Sequence, residues 1–321
     1  MIIRKSESRQ QTVRSNTIDG LNLDIYLSAA AVNTAIGVND FDPRQVNLKV
    51  LLKRNKRTYT LMQDNLLILG TFNSLLKGHH EFQNGWYVIA PAANAKAVQI
   101  RTVKICLGGH VNLKNDDEIF VEVTIGSGAF SANLDDTNCY VECDVNYSIG
   151  YEGGVMYTVS EVIQANSSKQ AFNPGDNVVS LALLNFSEDN FVNQVVTNLQ
   201  FSSDRLDFSH NFFQLLNRHV QQFGCNPNYR YGHTIPIDES NPSDKAFKWL
   251  PVYPQSFQLL HEEEVDKLVV DISFNGSLVQ ASQNYLVYRR YETDIVTVAK
   301  AQQMDVKHTK EKLDKLPAQM N

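Results

Sequence analysis

Two signatures recur in the same order, once in each half of the chain, and this internal echo constrains the fold more than any single motif. Phe72-Asn73-Ser74-Leu75-Leu76-Lys77-Gly78-His79 resembles Phe212-Phe213-Gln214-Leu215-Leu216-Asn217-Arg218-His219, and Val121-Glu122-Val123-Thr124-Ile125 resembles Val270-Asp271-Ile272-Ser273-Phe274. The offsets, 212 − 72 = 140 and 270 − 121 = 149, place nine extra residues between the two signatures of the second half. A duplicated domain of roughly 140 residues accounts for both offsets and lies within the ordinary domain range. The strand pair also keeps its facing. Ile119, Val121, Val123 and Ile125 point one way and Phe120, Glu122 and Thr124 the other, as Leu268, Val270, Ile272 and Phe274 oppose Val269, Asp271 and Ser273. Side chains alternate across a strand, so the echo preserves one buried and one wet face.

A chain of 321 residues with 43% apolar and 20% charged content can bury one large core or two ordinary ones. Its formal charge of −6 argues against nucleic-acid binding by the body of the protein, because neutralising phosphates takes an excess of Lys and Arg. No stretch reaches the roughly 18 apolar residues of a membrane-spanning helix, and Met1-Ile2-Ile3-Arg4-Lys5 is too short for a signal-peptide core, so the chain reads as soluble and not exported by a cleaved signal. Cys106, Cys139, Cys143 and Cys225 have no zinc-ligand spacing. Cys139 and Cys143 fall on one face of a strand, about 13 Å apart, too far for a disulfide, and are expected to be small core residues.

Along the chain, residues 1–17 read as an extended basic arm in which Arg4, Lys5, Arg9 and Arg14 face Glu7 alone. Alternation begins at Leu21, Leu23, Ile25 and Leu27, returns at Val46, Leu48, Val50 and Leu52, and turns at Asn55-Lys56 into a hairpin. Further strands are predicted at 86–90, 98–107, 118–126, 138–149 and 153–163. The Asn-, Ser-, Pro- and Gly-containing stretch from Ala165 to Asp176 reads as a break and places the domain boundary there. Strands follow at 177–186, 192–202, 229–237, 247–253, 266–274, 284–291 and 294–299. Helices are predicted from a Ser209 cap to Gly224 and, despite Gly70, from Asp64 to Lys77. The resulting organisation is an arm at 1–17, one β-sandwich at 18–165, a second at 166–300 and a tail at 301–321. Regular strand spacing with little helix gives an all-β fold rather than a parallel α/β sheet.

Catalytic signatures for nucleophile elbows, phosphate loops, zinc helices and dinucleotide folds are absent from the sequence. Gly78-His79-His80-Glu81 with His110 is the best metal candidate, but adjacent histidines point to opposite faces of a strand. The acidic groups Asp116-Asp117-Glu118, Asp135-Asp136 and Glu262-Glu263-Glu264 have the oxygens that structural calcium takes, yet read first as solvated turns. Otherwise no cofactor is expected. Tyr229, Tyr231, Phe247, Trp249 and Tyr253, interrupted by prolines, form a candidate sugar platform or a loop that packs on a neighbour. Tyr285, Tyr288, Arg289, Arg290 and Tyr291, with Trp249, make a candidate subunit interface, since Arg and Tyr are enriched at such surfaces.

Two tandem sandwiches of similar length, each with one inserted helix, a basic N-terminal arm and no catalytic apparatus: as an architecture, the whole chain resembles the double jelly-roll major capsid proteins of tailless icosahedral phages with an internal membrane, the corticovirus-like and finnlakevirus-like members in particular. The resemblance rests on no diagnostic motif and transfers no functional residue. It implies two tandem eight-stranded jelly-roll β-sandwiches in a non-enzymatic virion protein, assembled in the host cytoplasm. Homotrimers would tile an icosahedral capsid lattice beside penton and membrane proteins, with Arg4, Lys5, Arg9 and Arg14 against lipid head groups and no sequence-specific nucleic acid. The alternatives are a carbohydrate-binding or spike-like two-domain protein and a bicupin-type metal enzyme using His79 or His80.

Overall fold

Alternating burial along the strands builds the molecule. In β3 (Thr17–Ser28), Leu21, Leu23, Ile25 and Leu27 are buried and the residues between them half-exposed, and β4 (Val46–Arg54) repeats the pattern with Val46, Leu48, Val50 and Leu52. The structure is a computed structural model that describes residues 1–77, 89–114, 116–149, 155–164, 168–186, 196–211, 214–215, 257–275 and 284–291.

The first sandwich contains β1 (Ile2–Ile3), β2 (Ser8–Val13), β3, β4, β5 (Arg57–Asn65), helix α1 (Leu66–Lys77), β6 (Val98–Asn112), β7 (Glu118–Ile125) and β8 (Tyr140–Ser148). Its sheets run β1-β8-β3-β6 and β2-β7-β4-β5. The second contains β9 (Met156–Val162), β10 (Lys169–Gly175), β11 (Val178–Asn185), β12 (Val196–Ser202), β13 (Asp207–Asn211), β14 (Phe257–Val265), β15 (Leu268–Phe274) and β16 (Asn284–Tyr291). Its sheets run β9-β16-β11-β14 and β10-β15-β12-β13. Adding eight to each strand number of the first sandwich reproduces the second, and every pairing is antiparallel. Each half is an eight-stranded jelly roll with its own core cluster.

The strand echo lands on equivalent elements: β7 and β15 are each second from an edge of their sheet, with Val121, Val123, Val270 and Ile272 all fully buried. Of the second helix, predicted to run to Gly224, residues 212–213 and 216–224 lie outside the described residues, but its start is out of register with that of the first. Asn65 accepts a hydrogen bond from the Ile68 amide, and Asn211 from the Gln214 amide, while the Gln214 side-chain oxygen accepts one from the Asn211 amide, a capping box. The caps therefore differ by 211 − 65 = 146, leaving three extra residues before the β15 signature rather than nine. Ser209 is no cap; it lies in β13 opposite Gln200, and the second helix begins beyond Asn211.

Three further expectations are corrected. Residues 1–17 are no free arm: β1 pairs with β8 and β2 with β7, so the segment supplies an edge strand to each sheet of the first sandwich. The Met1 ammonium donates to the Cys143 carbonyl at 2.9 Å. Strand β9, read as the last of the first sandwich, pairs with β16 and opens the second, so the division between halves falls between Ser148 and Met156. The supposed break at 165–176 contains β10, an edge strand where Pro174 loses no ladder bond to an outer neighbour.

Both sandwiches are closed at one end by tight turns. The Asn55-Lys56 hairpin forms as expected, with φ of 52° and 62°, the positive values of a type I′ turn, and Asn16, Asn177 and Lys267 also take positive φ at the other turns of that end. Longer connections, α1 among them, lie at the opposite end. Strands predicted at 229–237, 247–253 and 294–299, and the tail at 301–321, lie outside the described residues.

Candidate functional site

The joint between the two sandwiches is the most elaborate feature of the molecule, and α1 makes it. Its sequence, Leu66-Leu67-Ile68-Leu69-Gly70-Thr71-Phe72-Asn73-Ser74-Leu75-Leu76-Lys77, is apolar on nearly every side. Leu66 and Leu69 enter the first core, while Leu67, Ile68, Phe72, Leu75 and Leu76 form a separate cluster with Ala182, Leu184, Phe186 and Val287 on the outer face of the second sandwich. Burial on both sides offsets the roughly 1 kcal/mol that Gly70 costs a helix interior. Strand β11 carries the matching signal, Val178-Val179-Ser180-Leu181-Ala182-Leu183-Leu184, apolar but for Ser180 and with both faces covered.

Arg289 crosses this joint. From β16 it donates to Asn73 Oδ1 at 2.9 Å, to the Cys106 carbonyl at 2.7 Å and to Thr158 Oγ1 at 3.3 Å, and its guanidinium lies 5.2 Å from the Phe72 ring centroid. Asn73 in turn donates to the Lys104 carbonyl at 2.8 Å, so one amide ties α1 to β6 and to the second sandwich together. Among the described residues, none of these Arg289 partners is a carboxylate. Burial pushes its pKa down to about 10, which still leaves it charged at neutral pH. A Cβ on Gly108, whose φ is +92°, would come within 2.9 Å of Met156 Sδ and 3.1 Å of Arg289 Cδ, so a glycine lets the second sandwich approach β6. Beside this contact, Ser160 of β9 donates to the Asp64 carboxylate of β5. Burial raises the Asp64 pKa, against the lowering effect of that bond and of the Asn65 amide.

The residues expected at a subunit surface are therefore divided. Arg289 is consumed inside the chain. Tyr288 belongs to the second core, where burial and then the Glu161 carboxylate push its phenol up to about 12. Tyr285 packs against the α1 cluster, Arg290 is exposed and Tyr291 half-buried, and Trp249 lies outside the described residues. Adjacent strand residues face opposite ways, and β16 is covered on both faces, so neither face was free for a partner.

The basic residues of 1–17 meet acids of their own chain. Lys5 pairs with Asp136 at 2.6 Å, Arg9 with Glu7 at 3.1 Å and Arg14 with Glu118 at 2.8 Å, while the Arg4 amide donates to Glu7. These pairs also occupy the expected calcium groups: Asp117 joins buried Arg54 at 2.8 Å, Glu118 also meets Lys53, and Asp135 meets Lys96. Glu262-Glu263-Glu264 lie within β14, not in a turn. Among the described residues no group of three or more His, Cys, Asp or Glu is placed to hold a metal. His110 sits in β6 rather than a turn, 2.6 Å from Ser148 Oγ; His79, His80 and Glu81, and the aromatic residues 229–253, lie outside the described residues. Cys139 and Cys143 are buried free thiols, as expected. An open cleft of about 780 Å³ at the tight-turn end is lined by Arg14, Lys53, Lys56, Lys114 and the acids Asp116 to Glu118.

No protein-family profile matches the sequence, and no curated protein matches it. Among solved structures, the chain is similar to the major capsid protein of Sulfolobus turreted icosahedral virus, with 10% identity, a TM-score of 0.51, and coverage of 89% of this chain and 91% of that one. A second structure, from the atomic structure of the whole virus, aligns at 10% identity and a TM-score of 0.53 over 91% of this chain and 89% of that one. At this identity the likeness concerns the fold: both halves of a double jelly roll, aligned nearly end to end.

Proposed function

We propose that this chain is a structural capsid subunit, a major capsid protein that works by tiling rather than by catalysis. One observation carries the reading: a jelly roll repeated with identical strand order and joined by a head-to-tail contact, α1 of the first sandwich on the outer sheet face of the second. A head-to-tail contact is not self-complementary, so it is satisfied in a closed ring rather than in a two-fold pair. Three chains in a ring present six sandwiches, a near-hexagonal block suited to an icosahedral lattice.

Native mass and negative-stain images of the purified chain test this. A trimer with a six-cornered outline is expected, and a monomer at micromolar concentration argues against it.

The finer reading is a tailless, membrane-containing virion of the corticovirus-like or finnlakevirus-like kind, assembled in the host cytoplasm, with pentons and membrane proteins as partners. The ion pairs of Lys5 and Arg9 move the lipid-facing role to the tight-turn end. There Arg14, 74% exposed, stands beside Lys53, Lys56 and Lys114. Each basic residue near an anionic surface contributes about 1 kcal/mol, which many copies in one shell multiply. Lys56→Glu with Lys114→Glu should lower binding of assembled protein to anionic liposomes; unchanged binding would remove the membrane role.

A further inference from the structure

The two sandwiches close their tight-turn ends by different means. In the second, the turns after β10, β12 and β14 each carry an aspartate whose carboxylate binds the backbone of a neighbouring turn. Asp266 Oδ1 accepts from the Asn177 amide at 2.9 Å, Asp204 Oδ1 from the Asp266 amide at 3.1 Å and Asp176 Oδ1 from the Lys267 amide at 2.9 Å. In the first, the equivalents of the first two turns are Arg14-Ser15-Asn16 and Asn55-Lys56, which contain cations and no acid. Between them and the third turn, at 114–118, lies the open cleft of about 780 Å³. Ion pairing divides its residues. Asp117 is held by Arg54 at 2.8 Å and by the Lys114 amide at 3.0 Å, while Glu118 stands between Arg14 at 2.8 Å and Lys53 at 3.4 Å. Lys56 and Lys114, both exposed, have no acidic partner among the described residues. With Asp117 set against Arg54, the four cations Arg14, Lys53, Lys56 and Lys114 face two carboxylates, Asp116 and Glu118, a surplus of two positive charges.

We infer that this cleft is a binding site for a dianionic phosphate, inorganic phosphate or a phosphate monoester, which supplies from outside the anions that the second sandwich supplies from its own turns. The charge surplus selects the class: a dianion neutralises it, whereas a phosphodiester with one charge leaves half of it unmet. The donors suit the shape as well, since a guanidinium fork matches phosphate geometry and ammoniums act as point charges beside it. The inference deepens the lipid-facing reading of this end and rests on it only for the source of the phosphate. A monoester headgroup at a bilayer surface and a soluble phosphate offer the cleft the same chemistry.

Calorimetric titration of the full-length chain at low salt with inorganic phosphate and with glycerol 3-phosphate tests the site. Saturable binding is expected, and Lys56→Asn with Lys114→Gln together should weaken it by about tenfold or more. Both side chains are exposed, and Asn accepts the φ of 62° at position 56, so thermal unfolding in phosphate-free buffer should match the wild type. Phosphatidylcholine vesicles carrying phosphatidic acid or, at equal surface charge, phosphatidylglycerol identify the source. Preference for phosphatidic acid, lost in the variant, assigns the site to a lipid headgroup; soluble binding without that preference keeps the site and gives it a soluble ligand. A wild-type chain with no saturable phosphate binding, or a variant that binds as the wild type does, would overturn the site, and equal binding to both vesicles would then leave a diffuse lipid-facing role standing. A chain that binds phosphate but never associates would keep the site and remove the subunit reading.

Discussion

Arg289 and Asn73 are 216 positions apart in the sequence and 2.9 Å apart in the fold. That hydrogen bond joins the last described strand of the second sandwich to the helix of the first. With Phe72 beneath the guanidinium, the Cys106 carbonyl on one side and Thr158 on the other, it makes the joint a specific lock rather than a greasy contact. A rigid joint suits the tiling role proposed above, in which both sandwiches would present their outer faces at a fixed angle.

Arg289→Ala leaves the Asn73 amide oxygen and the Cys106 carbonyl buried without their donor, and should destabilise the chain by about 3 kcal/mol in denaturant titrations. Arg289→Lys should recover only part of this, because an ammonium on a flexible stem cannot span three acceptors as a planar fork does. Full recovery by Lys would show that charge alone matters at the joint.

Gly108→Ala combines a φ of +92° with a methyl group placed 2.9 Å from Met156 Sδ. The expected cost is about 1–3 kcal/mol. It should appear as a loss of coupling between the halves, so that limited proteolysis between Ser148 and Met156 accelerates; wild-type cleavage rates would exclude a role for this close approach.

Asp64 gives the joint a pH dependence. Its folded pKa is raised by burial, so the folded state holds the proton more tightly than the unfolded one. The corresponding stability is present at acid pH and is lost as pH rises through the raised value. Asp64→Asn removes this dependence: the variant should equal or exceed wild-type stability at neutral pH, with the difference shrinking as pH falls toward about 4. A difference that grows on acidification would reverse the assignment.

Two ion pairs of the first sandwich should behave unequally. Asp117→Ala removes the carboxylate beside Arg54, whose side chain is 10% exposed and keeps the Asn112 carbonyl, and should cost about 3 kcal/mol. Asp136→Ala frees Lys5, 27% exposed on a pair open to water and salt, and should cost less than about 1 kcal/mol. Melting temperatures at low and high ionic strength distinguish them, the second being the salt-sensitive one.

The parts of the fold legible in the sequence are those where burial is one-sided. β3, β4, β7 and β15 announce themselves by alternation, and Asn55-Lys56 by residue types that accept positive φ. The edge strands β2 and β10 were illegible for a matching reason. β2 buries only Val13, and β10 carries Pro174, because such strands are held by ladder hydrogen bonds that depend little on side chains. Ser209 is a good cap in isolation, yet it lies within the ladder opposite Gln200, and Asn211, the last residue of β13, takes the Gln214 amide instead. The joint was half legible: the mostly apolar β11, broken only by Ser180 before Asn185, and the apolar residues spread around α1 both report a second covered face, without naming what covers it.

Residue order thus establishes the local facts, strand facing, turn chemistry and a domain written twice, since these depend on neighbours two to four positions away. Partner choice is another matter. Whether Arg289 meets a neighbouring subunit or Asn73, Cys106 and Thr158 of its own chain, and whether Arg9 meets lipid or Glu7, depends on which surfaces long-range packing brings together, and no local pattern encodes that distance.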